Sequence, residues 1–80
     1  MNTIYLKQTI ELAIKEHKLL HIEYVSKGFE ISERVIEPIE IKGRSVYARD
    51  THKRALRLFD FEGIQSIKII EKEKDNVKTT

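Results

Sequence analysis

The first strong pattern in the chain is an apolar stripe with helical spacing. Apolar residues recur every three or four positions from Leu6 to Ile14, and charged residues occupy the other side. Glu11 and Lys15 stand at the i, i+4 spacing that stabilises a helix. We therefore predict an α-helix over residues 4–17.

The chain after this helix has the alternating pattern of β-strands. Apolar and polar residues alternate in short runs, and turn residues separate the runs about every 8–12 positions. Pro38 is expected to end or bend the second strand, because proline has no N–H to give to a ladder. The pattern predicts a mainly β fold, a small barrel capped by its helix, with strands over residues 19–25, 29–37, 39–41, 45–50, 55–61 and 64–70.

Two registers are open to the hairpin of residues 45–61. If Asp50 opposes Ala55, each face mixes apolar and charged side chains. If Asp50 opposes Arg54, one face is apolar and the other polar, so the hydrophobic pattern favours this second register. It places Tyr47, Arg49, Ala55 and Arg57 on one face. It also predicts a barrel interior that contains Ile22, Val46, Leu56 and Leu58.

Length and composition limit the organisation of the chain. Eighty residues are enough for one domain, which we assign to residues 1–70, and the polar residues 71–80 are expected to be a disordered tail. The absence of cysteine excludes disulfides, thiolate catalysis and cysteine-based zinc sites. A small core and an isoleucine-rich last strand with few charges predict a homo-oligomer.

Positive charge is concentrated in one segment. The chain has a net charge of +2, but residues 42–57 contain six Lys and Arg residues against Asp50 alone, which is a net +5. In the favoured register Tyr47 stands between Arg49 and Arg57. Ring stacking combined with contacts to phosphates holds single-stranded nucleic acid without sequence readout. The alternative is a solvated strand face on which arginine stems cover a tyrosine.

Arg34 is a charged residue within an apolar strand, between Glu33 and Glu37. Two interpretations remain open from the sequence. In one, Arg34 forms a structural ion pair, which contributes about 0–1 kcal/mol at a surface. In the other, it joins the cluster that contains Arg49 and Arg57.

No group of residues has the spacing of a catalytic or metal-binding site. His17, His21 and His52 do not show the spacing of zinc ligands. Asp50 and His52 flank Thr51 in one turn, where they cannot converge on a pocket wall as a catalytic triad must. We therefore predict no enzyme activity, no metal site and no cofactor.

Five segments, taken in order, are similar to those of a known family. The first is the helix end AIK at 13–15 with the strand HIEY at 21–24, and the others are ERVIEP at 33–38, VYA at 46–48, RLF at 57–59 and GI at 63–64. Together they resemble the WYL domain, the sensor module of many bacterial transcription regulators, over residues 10–70. Val46 and Ala48 replace the Trp and the Leu of that family's triplet, and Asp60 and Gly63 stand where basic residues are common.

The resemblance implies an Sm-like (SH3-type) five-stranded barrel with one N-terminal helix, which binds an anionic ligand and signals through oligomerisation. We predict a cytoplasmic, non-enzymatic regulatory module of transcription or defence that captures single-stranded nucleic acid or a nucleotide. Tyr47 would stack on a base, phosphates would be held by Arg34, Arg49 and Arg57, and attraction at longer range would come from Lys53 and Arg54. The alternative is a small interaction protein that docks through a barrel edge on a larger partner, such as a regulator or a polymerase.

Overall fold

The computed structural model describes residues 2–71 and contains the predicted helix and five strands. The prediction of a disordered tail lies outside the described residues, apart from residue 71. The elements are α1 (Thr3–Lys15), β1 (Leu19–Val25), β2 (Ile31–Lys42), β3 (Ser45–Asp50), β4 (Ala55–Asp60), a 3-10 turn (Phe61–Gly63) and β5 (Ile64–Ile70).

A side chain caps the start of the helix α1, and a residue in the left-handed conformation follows its end. The Asn2 carboxamide oxygen accepts hydrogen bonds from the N–H groups of Ile4, at 2.7 Å, and Tyr5, at 3.2 Å. At the other end His17 has a φ of 57°, and the Lys18 N–H donates to the Ala13 carbonyl at 2.9 Å. This closing turn ends α1 at Lys15, two residues earlier than predicted.

The five strands form one antiparallel sheet in the order β4-β3-β2-β1-β5. The sheet curls until β1 and β4 meet across its interior. The rings of Tyr24 and Phe59 lie 5.1 Å apart at 87°, and the Asp60 N–H donates to the Tyr24 hydroxyl at 3.1 Å. Among the described residues the two edge strands, β4 and β5, do not pair with each other, so the sheet is not closed. The predicted fold class is confirmed, with the barrel left open between these two strands.

The core lies between the concave face of the sheet and α1. The helix buries Leu6, Ile10 and Ala13 against this face, and Ile22 and Val46 are fully buried as predicted. Each buried aliphatic side chain of this size contributes about 1.5–3 kcal/mol to folding. The apolar stripe of the helix therefore covers the inner face of the curled sheet.

Pro38 lies inside β2 rather than at its end. The strand continues from Ile31 to Lys42, and its register against β3 shifts between Pro38 and Glu40. A bulge is a position where a residue without an N–H is tolerated. The proline therefore bends this strand, which is one of the two predicted outcomes, and the predicted strands over 29–37 and 39–41 form one element.

The register favoured by the hydrophobic pattern is wrong. In the β3–β4 hairpin Asp50 lies opposite Ala55, and Val46 lies opposite Phe59. Phe59 is fully buried, whereas Leu56 and Leu58 are 52% and 55% exposed. The prediction that both leucines lie inside the barrel is therefore also wrong.

The turn between β3 and β4 explains this register. Arg54 has a φ of 57°, and its N–H donates to the Asp50 carbonyl at 2.7 Å. One oxygen of the Asp50 carboxylate accepts hydrogen bonds from the N–H groups of His52, at 3.1 Å, and Lys53, at 3.2 Å. These bonds fix a four-residue turn over 51–54, and the length of a turn sets the register of its strands.

Candidate functional site

β3 is shorter than β2 at one end, and this difference opens a hollow. Asp50, the last residue of β3, lies opposite Ile36, so β2 has no β3 neighbour before that point. Thr51 remains beside β2, because its N–H and its hydroxyl donate to the Val35 carbonyl at 3.0 Å and 2.8 Å. An open hollow of about 800 Å³ lies here, lined by residues of β2, of the turn and by His21 of β1.

An ion pair between Arg34 and Asp50 forms part of the hollow. A terminal nitrogen of Arg34, Nη1, lies 2.6 Å from the Asp50 carboxylate, and its Nε donates to the Ser32 hydroxyl at 3.2 Å. The Asp50 side chain is only 2% exposed, and the Arg34 side chain is 17% exposed. The carboxylate therefore orients a guanidinium group that solvent still reaches. Of the two interpretations of Arg34, the ion pair is present, with Asp50 as its partner.

The surroundings of Asp50 keep it ionised. Burial by itself would raise the pKa of this carboxyl group. The N–H groups of Lys53 and His52, together with the hydrogen bond and charge of Arg34, outweigh burial and lower the pKa below its usual value of 3.8. Near neutral pH the carboxylate therefore stays charged and keeps Arg34 in place.

A second guanidinium group lies on the same inner face of the sheet. The guanidinium carbons of Arg34 and Arg57 lie 5.9 Å and 5.5 Å from the centre of the Phe59 ring, within cation–π range. Lys53 lines the hollow from the turn. We call Arg34, Lys53 and Arg57 the basic cluster.

The structure separates the other predicted site residues from this cluster. Tyr47 and Arg49 lie on the outer face of the sheet, opposite Leu58 and Leu56. The Tyr47 ring lies 5.0 Å from the Lys42 ammonium group, and Arg49 Nε lies 3.6 Å from a Glu37 carboxylate oxygen. Tyr47 therefore does not stand between two guanidinium groups.

Arg54 occupies the left-handed position of the turn and is exposed, outside the hollow. Asp50, His21 and Phe59 line or contact the site but are not among the residues predicted from the sequence. The available signal was Asp50 itself, because an aspartate before a polar turn is well suited to accept the N–H groups of that turn.

Among residues 2–71 no group of three histidine or acidic side chains has the geometry to hold a metal ion. No helix in the described part of the chain is long and apolar enough to cross a membrane. The charged groups that line the hollow are Arg34 and Lys53, together with the carboxylates of Glu33 and Asp50.

A curled antiparallel sheet of five strands and an N-terminal helix define the class: a small, open β-barrel domain of the SH3 type. The family model of the WYL domain matches residues 6–69. The chain belongs to the WYL domain family, and the resemblance drawn from residues 10–70 is confirmed. This places it among the regulatory, ligand-sensing modules of transcription regulation.

A solved structure has the same fold. Proteasome accessory factor B/C (PafBC) of Arthrobacter aurescens matches with a TM-score of 0.77 and 22% sequence identity, over 84% of this chain and 11% of that chain. At this identity the likeness shows the fold, and the present chain corresponds to a small part of PafBC. A comparison with curated proteins finds no match.

Proposed function

We propose that this WYL domain is a non-enzymatic, cytoplasmic regulatory module that binds single-stranded nucleic acid or a nucleotide-type anion at the basic cluster. The observation that carries the proposal is Arg34, held by the buried Asp50 at an open hollow beside Lys53. A fixed guanidinium group binds a phosphate with less loss of side-chain entropy than a mobile one.

Arg34 retains hydrogen-bond donors for a ligand. Its Nη1 and Nε are bonded to Asp50 and Ser32, and among the described residues no partner contacts Nη2. Arg57 is exposed beside Phe59, and Lys53 adds an ammonium group at the turn. A strand offers one phosphate to each of these three cations, so a strand is favoured over a single small anion.

The hollow offers little aromatic surface for base stacking. Phe59 is fully buried, and the exposed part of Tyr47 lies on the other face of the sheet. The aromatic rings that line the hollow are the imidazoles of His21 and His52. We therefore expect binding that is weak, tolerant of sequence and dominated by phosphate contacts.

The expected result is salt-dependent binding of a fluorescent single-stranded oligonucleotide, measured by anisotropy. Three phosphate contacts give a log–log salt slope of about −2 for a single strand. Lys53→Gln and Arg57→Gln should each weaken binding and reduce that slope by about 0.7. Arg49→Gln, which removes a similar charge on the outer face, is the matched control and should change the affinity least.

Equal effects of Arg49→Gln and Arg57→Gln would contradict a site on the inner face. Tyr47→Ala tests the assignment made from the sequence, because loss of a stacking ring costs about 1–3 kcal/mol without altering the salt slope. Absence of binding of both the oligonucleotide and a mononucleotide, at low salt and tens of micromolar protein, would refute the proposal. Binding of the mononucleotide alone would identify a nucleotide ligand rather than a strand.

A specific observation also favours the second candidate function, an interaction protein that uses a barrel edge. Leu56 and Leu58 are exposed on the outer face of β4, which is an edge strand of the sheet. Exposed apolar side chains on an open edge are typical of surfaces that pair with another chain.

A further inference from the structure

β4 is an edge strand of the sheet and carries two exposed leucines, Leu56 and Leu58. Within residues 2–71 β4 pairs with β3 alone, and its other edge has no neighbouring strand. The isoleucines of β5, from which the sequence predicted assembly, largely face inwards: Ile64 is buried, and Ile67 and Ile69 pack against the core. The exposed apolar side chains of an edge strand are therefore those of β4.

Only two residues of β4 can offer both backbone groups to a new strand. Just after β4, the Phe61 N–H donates to the carbonyl of Arg44, the residue before β3, at 2.9 Å. The Phe61 N–H therefore faces β3 and not the open edge. Because N–H groups alternate in direction along a strand, those of Leu56, Leu58 and Asp60 face the open edge. The Asp60 N–H already donates to the Tyr24 hydroxyl at 3.1 Å. Leu56 and Leu58 are therefore the residues of β4 whose N–H and C=O groups can bond to a new strand.

We propose that two copies of this chain pair through their β4 edges, antiparallel about a two-fold axis at Arg57. In this register Leu56 of each copy exchanges two backbone hydrogen bonds with Leu58 of the other. Moving the axis two residues towards Phe59 would require the N–H of Asp60, which already donates to Tyr24. Moving it two residues towards Ala55 would require the N–H of Arg54. The Arg54 N–H donates to the Asp50 carbonyl within the turn.

Charge and apolar surface are both self-complementary in this arrangement. Arg54 precedes β4 and Asp60 ends it, so antiparallel pairing places Arg54 of each copy across from Asp60 of the other. On the outer face the exposed Leu56 of one copy lies beside the exposed Leu58 of the other, and four leucines form one apolar cluster. Both features are properties of a second copy of this chain rather than of an arbitrary strand.

Arg57 opposes this dimer through its charge. On the axis the two Arg57 side chains lie directly across from each other, and like charges in that position cost about 0.2–1 kcal/mol. Arg57→Gln should therefore tighten the dimer by a factor of about 1.4 to 5, which is the same cost expressed as an affinity. Sedimentation equilibrium at low salt measures this change.

A cysteine cross-link tests the register, because the chain contains no cysteine of its own. Arg57→Cys would place two thiols at a non-hydrogen-bonded antiparallel pair with Cα atoms about 4.5 Å apart, within the range of a disulfide. Ala55→Cys is the control on the same face, since its two copies would lie about 13 Å or more apart. We expect a covalent dimer from Arg57→Cys and little from Ala55→Cys under mild oxidation.

A second test needs no cross-link. Light scattering of the full chain at up to hundreds of micromolar should show a dimer, and Leu58→Lys should weaken it about tenfold or more by placing charge in the leucine cluster. Leu12→Lys, at an exposed leucine of α1, is the matched control and should leave the dimer intact. A monomer throughout, a dimer indifferent to Leu58→Lys, or equal cross-linking at positions 55 and 57 would overturn the proposal.

Discussion

Replacing Asp50 with asparagine is expected to lower the free energy of unfolding by about 3–5 kcal/mol, the usual cost of removing one partner from a buried ion pair. The carboxylate is almost completely buried, 2.6 Å from Arg34. Its removal leaves a largely buried guanidinium group without a counter-charge. Urea unfolding at neutral pH, followed by circular dichroism, measures the change.

Arg49→Gln is the matched control for this prediction. It also removes one member of an ion pair, but Arg49 and Glu37 are exposed and their closest atoms lie 3.6 Å apart. Such a surface pair contributes at most about 1 kcal/mol. If the two variants lost the same stability, the pair of Arg34 and Asp50 would contribute no more than a surface pair.

The same carboxylate makes stability depend on pH in the acid range. Because folding lowers the pKa of Asp50 below its usual 3.8, the folded state binds this proton less tightly than the unfolded state. The contribution is fully present above the unfolded pKa and is lost as the pH falls through the lowered folded pKa. The stability difference between the protein and Asp50→Asn should therefore be constant near neutral pH and shrink below about pH 4.

The sequence predicted the helix and the strands because their signals are local. A 3.6-residue period marked α1, and alternation marked the strands, without knowledge of distant contacts. The predictions of element boundaries fail where local conformation, which the periodic pattern does not contain, decides the boundary. The helix ends at Lys15 because His17 adopts a left-handed conformation, and β2 passes through Pro38 because a bulge accommodates it.

The hairpin register could not be predicted from local pattern, because the residue that fixes its turn is held from outside the hairpin. Asp50 accepts two N–H groups of the turn with one oxygen and contacts Arg34 of β2 with the other. The pattern favoured placing Leu56 and Leu58 in the core. At an edge strand the better solution buries the single larger residue, Phe59, and leaves the leucines exposed.

The candidate site was predictable in its charge but not in its geometry. The excess of Lys and Arg over residues 42–57 identified a basic region, yet a shift of one residue in register moves each side chain to the other face of the sheet. Arg57 therefore joins Arg34 at the Phe59 ring, while Tyr47 and Arg49 face away from it.

Phe59→Ala is expected to lower the free energy of unfolding by about 3–5 kcal/mol, as is usual for an aromatic side chain removed from a packed core. Phe59 is fully buried, and its ring contacts Tyr24 across the interior of the curled sheet. Leu58→Ala, one residue away, should cost at most about 1 kcal/mol, because that side chain is more than half exposed.

The comparison between these two variants decides the register by measurement. In the register that the hydrophobic pattern favoured, Leu58 would fill the core and Phe59 would not, so the order of the two losses would be reversed. Unfolding is best followed at low protein concentration, because Leu58 also belongs to the proposed dimer edge and association would add to its apparent stability. Phe59→Leu, which keeps most of the apolar volume, should restore much of the loss, whereas a loss equal to that of Phe59→Ala would point to the ring contact with Tyr24 rather than to volume.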